Sequence, residues 1–215
     1  MAVVSAPLLS FTAKGQIAKT QVYATWKGRP YVRRLVYPAN PRSTEQTKTR
    51  TAFAFLSNAW KTAPADFVAP WTQFAKGKVF TNRNAWLSKN ISTLRDQTDL
   101  DGLVMSPGAA GGLSITPDFT GGTGDITIDF TAPSPLPAGW TIVEAVGVAI
   151  ADQNPHSGDA YQIYAGSDAT ASYQVVLSSL DAGDYWAAGW FVYQRSALAT
   201  DLAYGAAIGS TVTVS

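Results

Sequence analysis

The stretch WKGRPYVRRLVYPANPRSTEQTKTRTAFAFLSNAW, Trp26–Trp60, combines a turn, a strand, a rigid linker and an amphipathic helix in 35 residues. Lys27-Gly28-Arg29-Pro30 has the composition of a turn, and the alternating residues on both sides of it predict a hairpin. Pro38 and Pro41 each push the preceding residue into extended geometry. The hairpin therefore ends before the helix begins, and we expect this stretch to organise the N-terminal half.

The helix is predicted to begin at Ser43 or Thr44, either of which can cap it. Apolar residues then recur at intervals of three and four, which gives one apolar stripe. The stripe consists of Ala52, Phe53, Leu56, Ala59 and Trp60. Two shorter helices are predicted near residues 71–75 and 82–94, and the three helices together are expected to bury a small core over the hairpin. The structural residues expected in this half are Trp26, Phe53 and Trp60.

Residues 1–20 sustain neither a helical nor a strand period. Ordering such a segment costs roughly 1–2 kcal/mol per residue of backbone, and it has no face of its own to bury. We therefore predict an extended arm that becomes ordered by lying on a neighbouring subunit. The arm residues expected to make these contacts are Leu8, Leu9, Phe11 and Ile17.

The second half of the chain has the alternating pattern of β-structure. Strands are predicted at residues 113–119, 126–130, 141–151, 161–165, 173–177, 185–193 and 203–214. About seven strands of this length predict an immunoglobulin-like or fibronectin-type sandwich. The spacing from Leu180 to Tyr185 resembles a tyrosine corner, in which the tyrosine hydroxyl bonds to upstream backbone.

The predicted fold class is α+β, with four successive parts. They are an extended arm (1–20), a basic hairpin-plus-helices anchoring domain (21–105), a Gly-rich linker (106–112) and an acidic immunoglobulin-like sandwich (113–215). The linker is placed where glycine and proline are most concentrated.

Charge is distributed unequally along the chain. Up to Met105 there are 15 Lys and Arg against 5 Asp and Glu, whereas from Ser106 onward there is one Arg against 10 acidic residues. This asymmetry predicts that the first half faces an acidic partner. The alternative is that the two halves attract each other, within a subunit or between subunits. The predicted interface residues are Lys27, Arg29, Arg33, Arg34, Arg42 and Arg50, with Arg33 and Arg34 on opposite faces of a strand.

The sequence contains no motif typical of an enzyme. His156 is the only histidine and cysteine is absent, so a zinc site would need carboxylate ligands. Asp181 and Asp184 flank Gly183, an arrangement that turn formation explains. We expect no catalytic activity, no metal site and no cofactor. No apolar run approaches the roughly 20 residues of a membrane span, and none is expected.

Short motifs within about residues 8–100 carry a resemblance to known proteins. They comprise Gly15 and Ile17, Trp26-Lys27-Gly28, Arg33, Asn40-Pro41, Thr44 and Gln46, then Arg50, Phe53 and Trp60, and later Asn84. In these motifs the chain is similar to an uncharacterised family of tailed-phage and prophage structural proteins. The sandwich half resembles the immunoglobulin-like domains appended to phage head, neck and tail proteins. The resemblance implies a virion protein that is assembled in the host cytoplasm.

We therefore expect a structural protein of a tailed-phage virion, in the first place a head decoration or minor capsid protein with its sandwich projecting. Its partners would be major capsid or neck and tail proteins, and it would form a homo-oligomer. A neck or tail component is an alternative, as is a nucleic-acid-binding protein that uses the basic half. A third alternative is an adhesin that binds glycans through Trp186 and Trp190. Exposure of these two tryptophans would favour the adhesin, whereas their position in one strand predicts core.

Overall fold

The computed structural model describes residues 14–108, 115–157, 162–195 and 201–215. The chain divides into two compact units, which we call the N-terminal unit (Met1–Arg42) and the main unit (Ser43–Ser215). The described part of the chain is mixed, with three helices and several antiparallel sheets, and it is mostly β.

The N-terminal unit contains a three-stranded antiparallel sheet in the order β1-β2-β3. Its strands are β1 (Gly15–Ile17), β2 (Gln21–Trp26) and β3 (Arg29–Arg34). The hairpin of β2 and β3 agrees with the sequence pattern, but residues 15–17 had been assigned to the arm. They form a strand because β2 offers them a backbone edge to pair with, a contact that side-chain periodicity does not reveal. Leu8, Leu9 and Phe11 lie outside the described residues.

The main unit begins with three helices, none of which is long and apolar enough to cross a membrane. They are α1 (Thr44–Lys61), α2 (Ala65–Ala75) and α3 (Asn82–Asp96). The Ser43 hydroxyl caps α1 by accepting from the Gln46 N–H at 3.4 Å, and Thr81 caps α3 in the same way.

The buried face of α1 differs from the predicted stripe at one position. Phe55 is buried, whereas Phe53 is 47% exposed. Phe53 and Phe55 lie on opposite sides of the line through Ala52, Leu56 and Ala59, and a stripe can widen to either side. Trp60 is half-buried and packs edge-on against Phe67, with ring centroids 5.8 Å apart.

Two antiparallel sheets follow the helices. The first has the order β4-β5-β8, and the second has the order β10-β9-β6-β7, with β11 also paired to β9. The strands are β4 (Thr116–Gly121), β5 (Asp125–Thr131), β6 (Thr141–Ala151), β7 (Ile163–Asp168), β8 (Gln174–Ser178), β9 (Gly183–Gln194), β10 (Leu202–Tyr204) and β11 (Ile208–Val214). β10 and β11 pair with successive halves of β9.

The two sheets pack face to face, and paired glycines make the close approach possible. Gly147 of β6 lies opposite Gly189 of β9. A Cβ at Gly189 would meet the Phe130 ring at 2.5 Å, and one at Gly147 would meet the Ile128 side chain at 2.7 Å. Both aromatic and branched side chains of β5 therefore fill space that these two glycines leave open.

A segment of irregular backbone joins the helices to the sheets. We call residues 100–106 the strap. The Trp71 indole N–H of α2 donates to the Met105 carbonyl at 2.9 Å, and the Trp186 indole N–H of β9 donates to the Leu103 carbonyl at 3.2 Å. Strap, helix and sheet thus share buried hydrogen bonds as well as one continuous apolar core.

Asn90 of α3 holds the strap from the helical side. Its side-chain oxygen accepts from the Val104 N–H at 2.8 Å, and its NH₂ group donates to the Val104 and Trp86 carbonyls, each at 3.1 Å. Asn90 is fully buried. A buried irregular backbone needs partners of this kind, because its polar groups have no regular ladder to join.

The division into units differs from the predicted linker at residues 106–112. Ser106 is buried, and its hydroxyl donates to the Gly205 carbonyl at 2.8 Å. The helices therefore belong with the sheets, and the boundary falls between Arg42 and Ser43. Glycine and proline indicate irregular backbone, but at Ser106 that backbone is buried and hydrogen-bonded. Residues 109–112 of the predicted linker lie outside the described residues.

Asn90→Ala should destabilise the protein by about 3 kcal/mol, because it leaves the Val104 N–H and carbonyl buried without partners. Asn58→Ala is the matched control, since Asn58 is an exposed residue of α1 and its replacement should change stability by less than about 0.5 kcal/mol. Urea denaturation measures both. Equal effects of the two substitutions would contradict the role given to Asn90.

Limited trypsin digestion should cut first after Arg42. This residue is exposed and lies outside regular structure, between β3 and α1. The remaining fragment should begin near Ser43 and unfold in one cooperative transition, as mass spectrometry and thermal denaturation can establish. Early cleavage at Arg95, near the end of α3, that separates the helices from the sheets would show that the main unit is not one unit.

Candidate functional site

The N-terminal unit is the candidate functional site, and a tight turn shapes it. Lys27 and Gly28 both have positive φ, 48° and 76°. Two such residues form the two-residue turn whose twist matches the twist of the flanking strands. Glycine suits the second position because it adopts positive φ without a steric penalty. The turn fixes the register of β2 against β3, with Trp26 opposite Arg29.

That register assigns each cation to a face of the sheet, because residues directly opposite each other share a face. Arg29 pairs with Trp26 and Arg33 pairs with Val22. Arg29 and Arg33 are four residues apart in the strand, so their side chains lie on the same face. Arg34 pairs with Gln21, on the other face. One face thus carries Arg29, Arg33 and Trp26, and Arg33 and Arg34 point to opposite faces, as the sequence predicted.

The charge of the N-terminal unit is of one sign. Residues 1–42 contain seven Lys and Arg and no Asp or Glu. All seven cations lie in the described part of the unit and are exposed: Lys14, Lys19, Lys27, Arg29, Arg33, Arg34 and Arg42. The ion pairs found between described residues all lie in the main unit. Nothing within the described N-terminal unit neutralises its charge.

The described part of the same unit has no core of its own. None of its described residues is buried, and two aromatic side chains are largely open, Trp26 at 68% and Tyr37 at 71% exposure. Ile17, expected to contact a neighbour, is also exposed. Small sheets need a buried apolar face for independent stability. Exposed aromatic groups beside uncompensated cations are what an attachment surface presents before its partner covers it.

Two sequence predictions need correction here. Trp26 was expected to be a structural core residue, but its ring is exposed and lies 5.0 Å from the Lys27 ammonium. Strand alternation places Trp26 on one face without determining whether that face is covered. The six predicted interface cations are also divided, since Arg50 lies on α1 in the main unit, apart from Lys27, Arg29, Arg33, Arg34 and Arg42.

His156, weighed in the sequence as a metal ligand, has a structural contact. Its Nδ1 lies 2.6 Å from the Thr51 hydroxyl of α1, so the ring ties the loop after β6 to a helix. Within the described residues no group of three or more His, Asp or Glu side chains is placed to hold a metal ion.

Two of the three carboxylates near Gly183, those of Asp152 and Asp184, also have structural partners. Asp152, Asp181 and Asp184 line a cavity of about 550 Å³. Burial raises the pKa of the Asp152 carboxyl. The Leu100 N–H donates a hydrogen bond to this carboxyl at 2.9 Å, which acts in the opposite direction and favours the charged form. Asp184 accepts from the Thr213 hydroxyl. The Tyr185 hydroxyl donates to the Asp181 carbonyl at 3.1 Å, which is the upstream backbone contact of a tyrosine corner.

Trp186 and Trp190, the residues that would serve an adhesin, are both buried in β9. Their rings contribute to the core, as their position in one strand predicted. The described surface therefore does not present them to a glycan, and the observation that would have favoured an adhesin is absent at both positions.

The sequence carries a further signal for the N-terminal unit, because the first acidic residue of the chain is Glu45. The segment before Ser43 is wholly basic, whereas the helical segment that follows contains acidic as well as basic residues. The end of this wholly basic segment coincides with the boundary between the two units.

Comparisons with known proteins returned little. No protein-family model matches the chain, and a search of curated proteins found no match. Among solved structures, the chain is similar to the fibronectin(III)-like modules of Clostridium thermocellum CbhA, at 22% sequence identity and a TM-score of 0.27. The match covers 47% of this chain and 46% of that chain. The resemblance to phage proteins is not represented among these results and stays a prediction.

Proposed function

We propose that the protein is a non-enzymatic structural component of a tailed-phage virion that attaches through its N-terminal unit to an acidic surface of a partner protein. The observation that carries the attachment is the combination of seven exposed cations, no acidic residue and no buried residue in the described N-terminal unit. The assignment to a virion rests on the sequence resemblance. Within the virion we favour a head decoration or minor capsid protein, with a neck or tail component as the alternative.

The energetics favour attachment as the means by which the sheet is stabilised. Covering Trp26 and Tyr37 would remove apolar area from water, at about 25 cal/mol per Å². Pairing Arg29 and Arg33 with carboxylates on one partner surface would add charge-assisted hydrogen bonds. The opposite face, with Arg34, leaves the sheet able to bridge two partner surfaces.

The main unit is proposed to be the projecting part, built around an immunoglobulin-like sandwich of the fibronectin type. Taking β10 and β11 as one interrupted strand, the sheets contain three and four strands, which supports this assignment. The Tyr185 hydrogen bond to the Asp181 carbonyl supports it further. Residues 43–215 carry more acidic than basic groups, in contrast to the wholly basic N-terminal unit.

Single-stranded nucleic acid is the second candidate partner, because Trp26 is exposed beside Arg29 on one face. Stacking on Trp26 and phosphate contacts would provide binding. We place it second because the Lys27 ammonium already lies over the Trp26 ring. Binding to an oligothymidylate at physiological salt by the intact protein would favour this candidate, and its absence would favour a protein partner.

Replacing Arg29, Arg33 and Arg34 together by alanine should lower incorporation into particles by about tenfold, since three exposed pairs of roughly 0.5 kcal/mol each sum to about 1.5 kcal/mol. The measurement is the copy number per particle, by quantitative mass spectrometry of particles from induced host cells that express the variant. The variant's melting temperature should be unchanged because none of the three side chains is buried.

The matched control neutralises Lys61, Arg95 and Arg195, three exposed cations of the main unit. This control should be incorporated normally, because it alters net charge by the same amount without touching the N-terminal unit. Normal copy number of the Arg29, Arg33 and Arg34 variant, or equal loss in both variants, would refute attachment through the sheet.

A further inference from the structure

A second cationic surface lies on the main unit, where α2 is connected to α3. It surrounds a concavity of about 580 Å³, which we call the loop pocket. The loop pocket is lined by Phe74, Lys78, Phe80, Asn84, Ala85, Ser88 and Lys89. Its volume is in the range that accommodates a small ligand or a few side chains.

The interior of the loop pocket is aromatic and its rim is cationic. The rings of Phe74 and Phe80 lie 6.1 Å apart between centroids. The Lys78 ammonium lies 3.3 Å from the Phe74 centroid and 5.5 Å from the Phe80 centroid, and the Lys89 ammonium lies 5.9 Å from the Phe74 centroid. The two ammonium groups rest on aromatic rings, a contact worth about 0.5–1 kcal/mol at exposed sites.

No acidic residue occurs between Phe67 and Arg95. Lys76, Lys78, Arg83 and Lys89 make none of the ion pairs found between described residues. The loop also exposes apolar groups to solvent, since the Val79 side chain is fully exposed and Phe80 is 40% exposed. Uncompensated charge and open apolar surface therefore coincide in this loop.

We propose that the loop pocket binds an acidic protein segment that carries large apolar side chains at its centre. One of these side chains would enter the concavity beside the Phe74–Phe80 ring pair, and flanking carboxylates would pair with Lys78 and Lys89 at the rim. The Lys78 ammonium has three N–H donors, so it can pair with a carboxylate while it stays over the Phe74 ring. This site is separate from the N-terminal unit and does not depend on the function proposed for that unit.

The shape and the ring contacts favour an acidic peptide over other anionic partners. A nucleic acid would need an open ring for base stacking, but Lys78 covers the face of Phe74. A bilayer is flat and would contact Val79 without entering the concavity. A peptide side chain can enter it, and carboxylates beside that side chain meet the two rim ammonium groups.

The test is fluorescence anisotropy with the intact protein and a labelled peptide of two leucines flanked on each side by two glutamates. Lys78→Glu with Lys89→Glu should weaken binding by about tenfold or more, through loss of two attractions and gain of two repulsions. Ser88→Trp, an exposed helical position that lines the pocket, should weaken binding equally by filling the concavity at unchanged charge. Replacing the two leucines of the peptide by glycine should also abolish most of the binding.

Lys61→Glu with Arg195→Glu is the charge-matched control and should leave peptide affinity within about twofold. Arg29→Ala should likewise leave it unchanged, which separates this site from the N-terminal unit. No binding of the wild-type protein, or binding that Ser88→Trp leaves intact, would overturn the proposal. Displacement of the peptide by oligothymidylate, or by phosphatidylserine vesicles, with no effect of Ser88→Trp would also overturn it.

Discussion

Two indole N–H groups and one buried asparagine hold the backbone between Leu100 and Ser106, and the fold of the main unit depends on those hydrogen bonds. Trp71 belongs to a helix, Trp186 belongs to a central strand, and both donate to carbonyls of the same short segment. Asn90 completes the arrangement by pairing with both backbone groups of Val104. A buried segment without regular structure is stable only when its polar groups are paired. Through these contacts helices and sheets are joined into one core.

The N-terminal unit follows the opposite principle. Its sheet is held by strand pairing and a tight turn at Lys27-Gly28, while its side chains stay at the surface. Local opening of such an element requires little free energy, since few apolar contacts are lost. The attachment proposed for this unit would supply the burial that its described residues lack. The positive charge of residues 14–42 would then favour an acidic surface on the partner.

Several features were predictable from the sequence because they depend on local chemistry. The Ser43 cap, the Lys27-Gly28 turn and the Tyr185 hydrogen bond each follow from residue types at fixed short spacings. Positions that depend on distant contacts were not predictable. Phe53 and Trp26 are apolar residues in regular elements, yet neither is buried. Periodicity shows which residues share a face, but it does not show whether another element covers that face. Ser106 was assigned to a linker for the same reason, since Gly205, whose carbonyl accepts from its hydroxyl, is far from it in sequence.

Native-state hydrogen exchange of the intact protein can establish whether the strap makes the helices and the sheets one cooperative unit. We expect exchange of the Val104 amide to require the same free energy of opening as exchange of the protected amides of α3 and β9. That free energy should equal the free energy of global unfolding. Amides of β2 and β3 should open at clearly lower free energy. If the amides of Val104 and α3 exchange through an opening that leaves β9 protected, the helices are a separate unit and the strap does not join them to the sheets cooperatively.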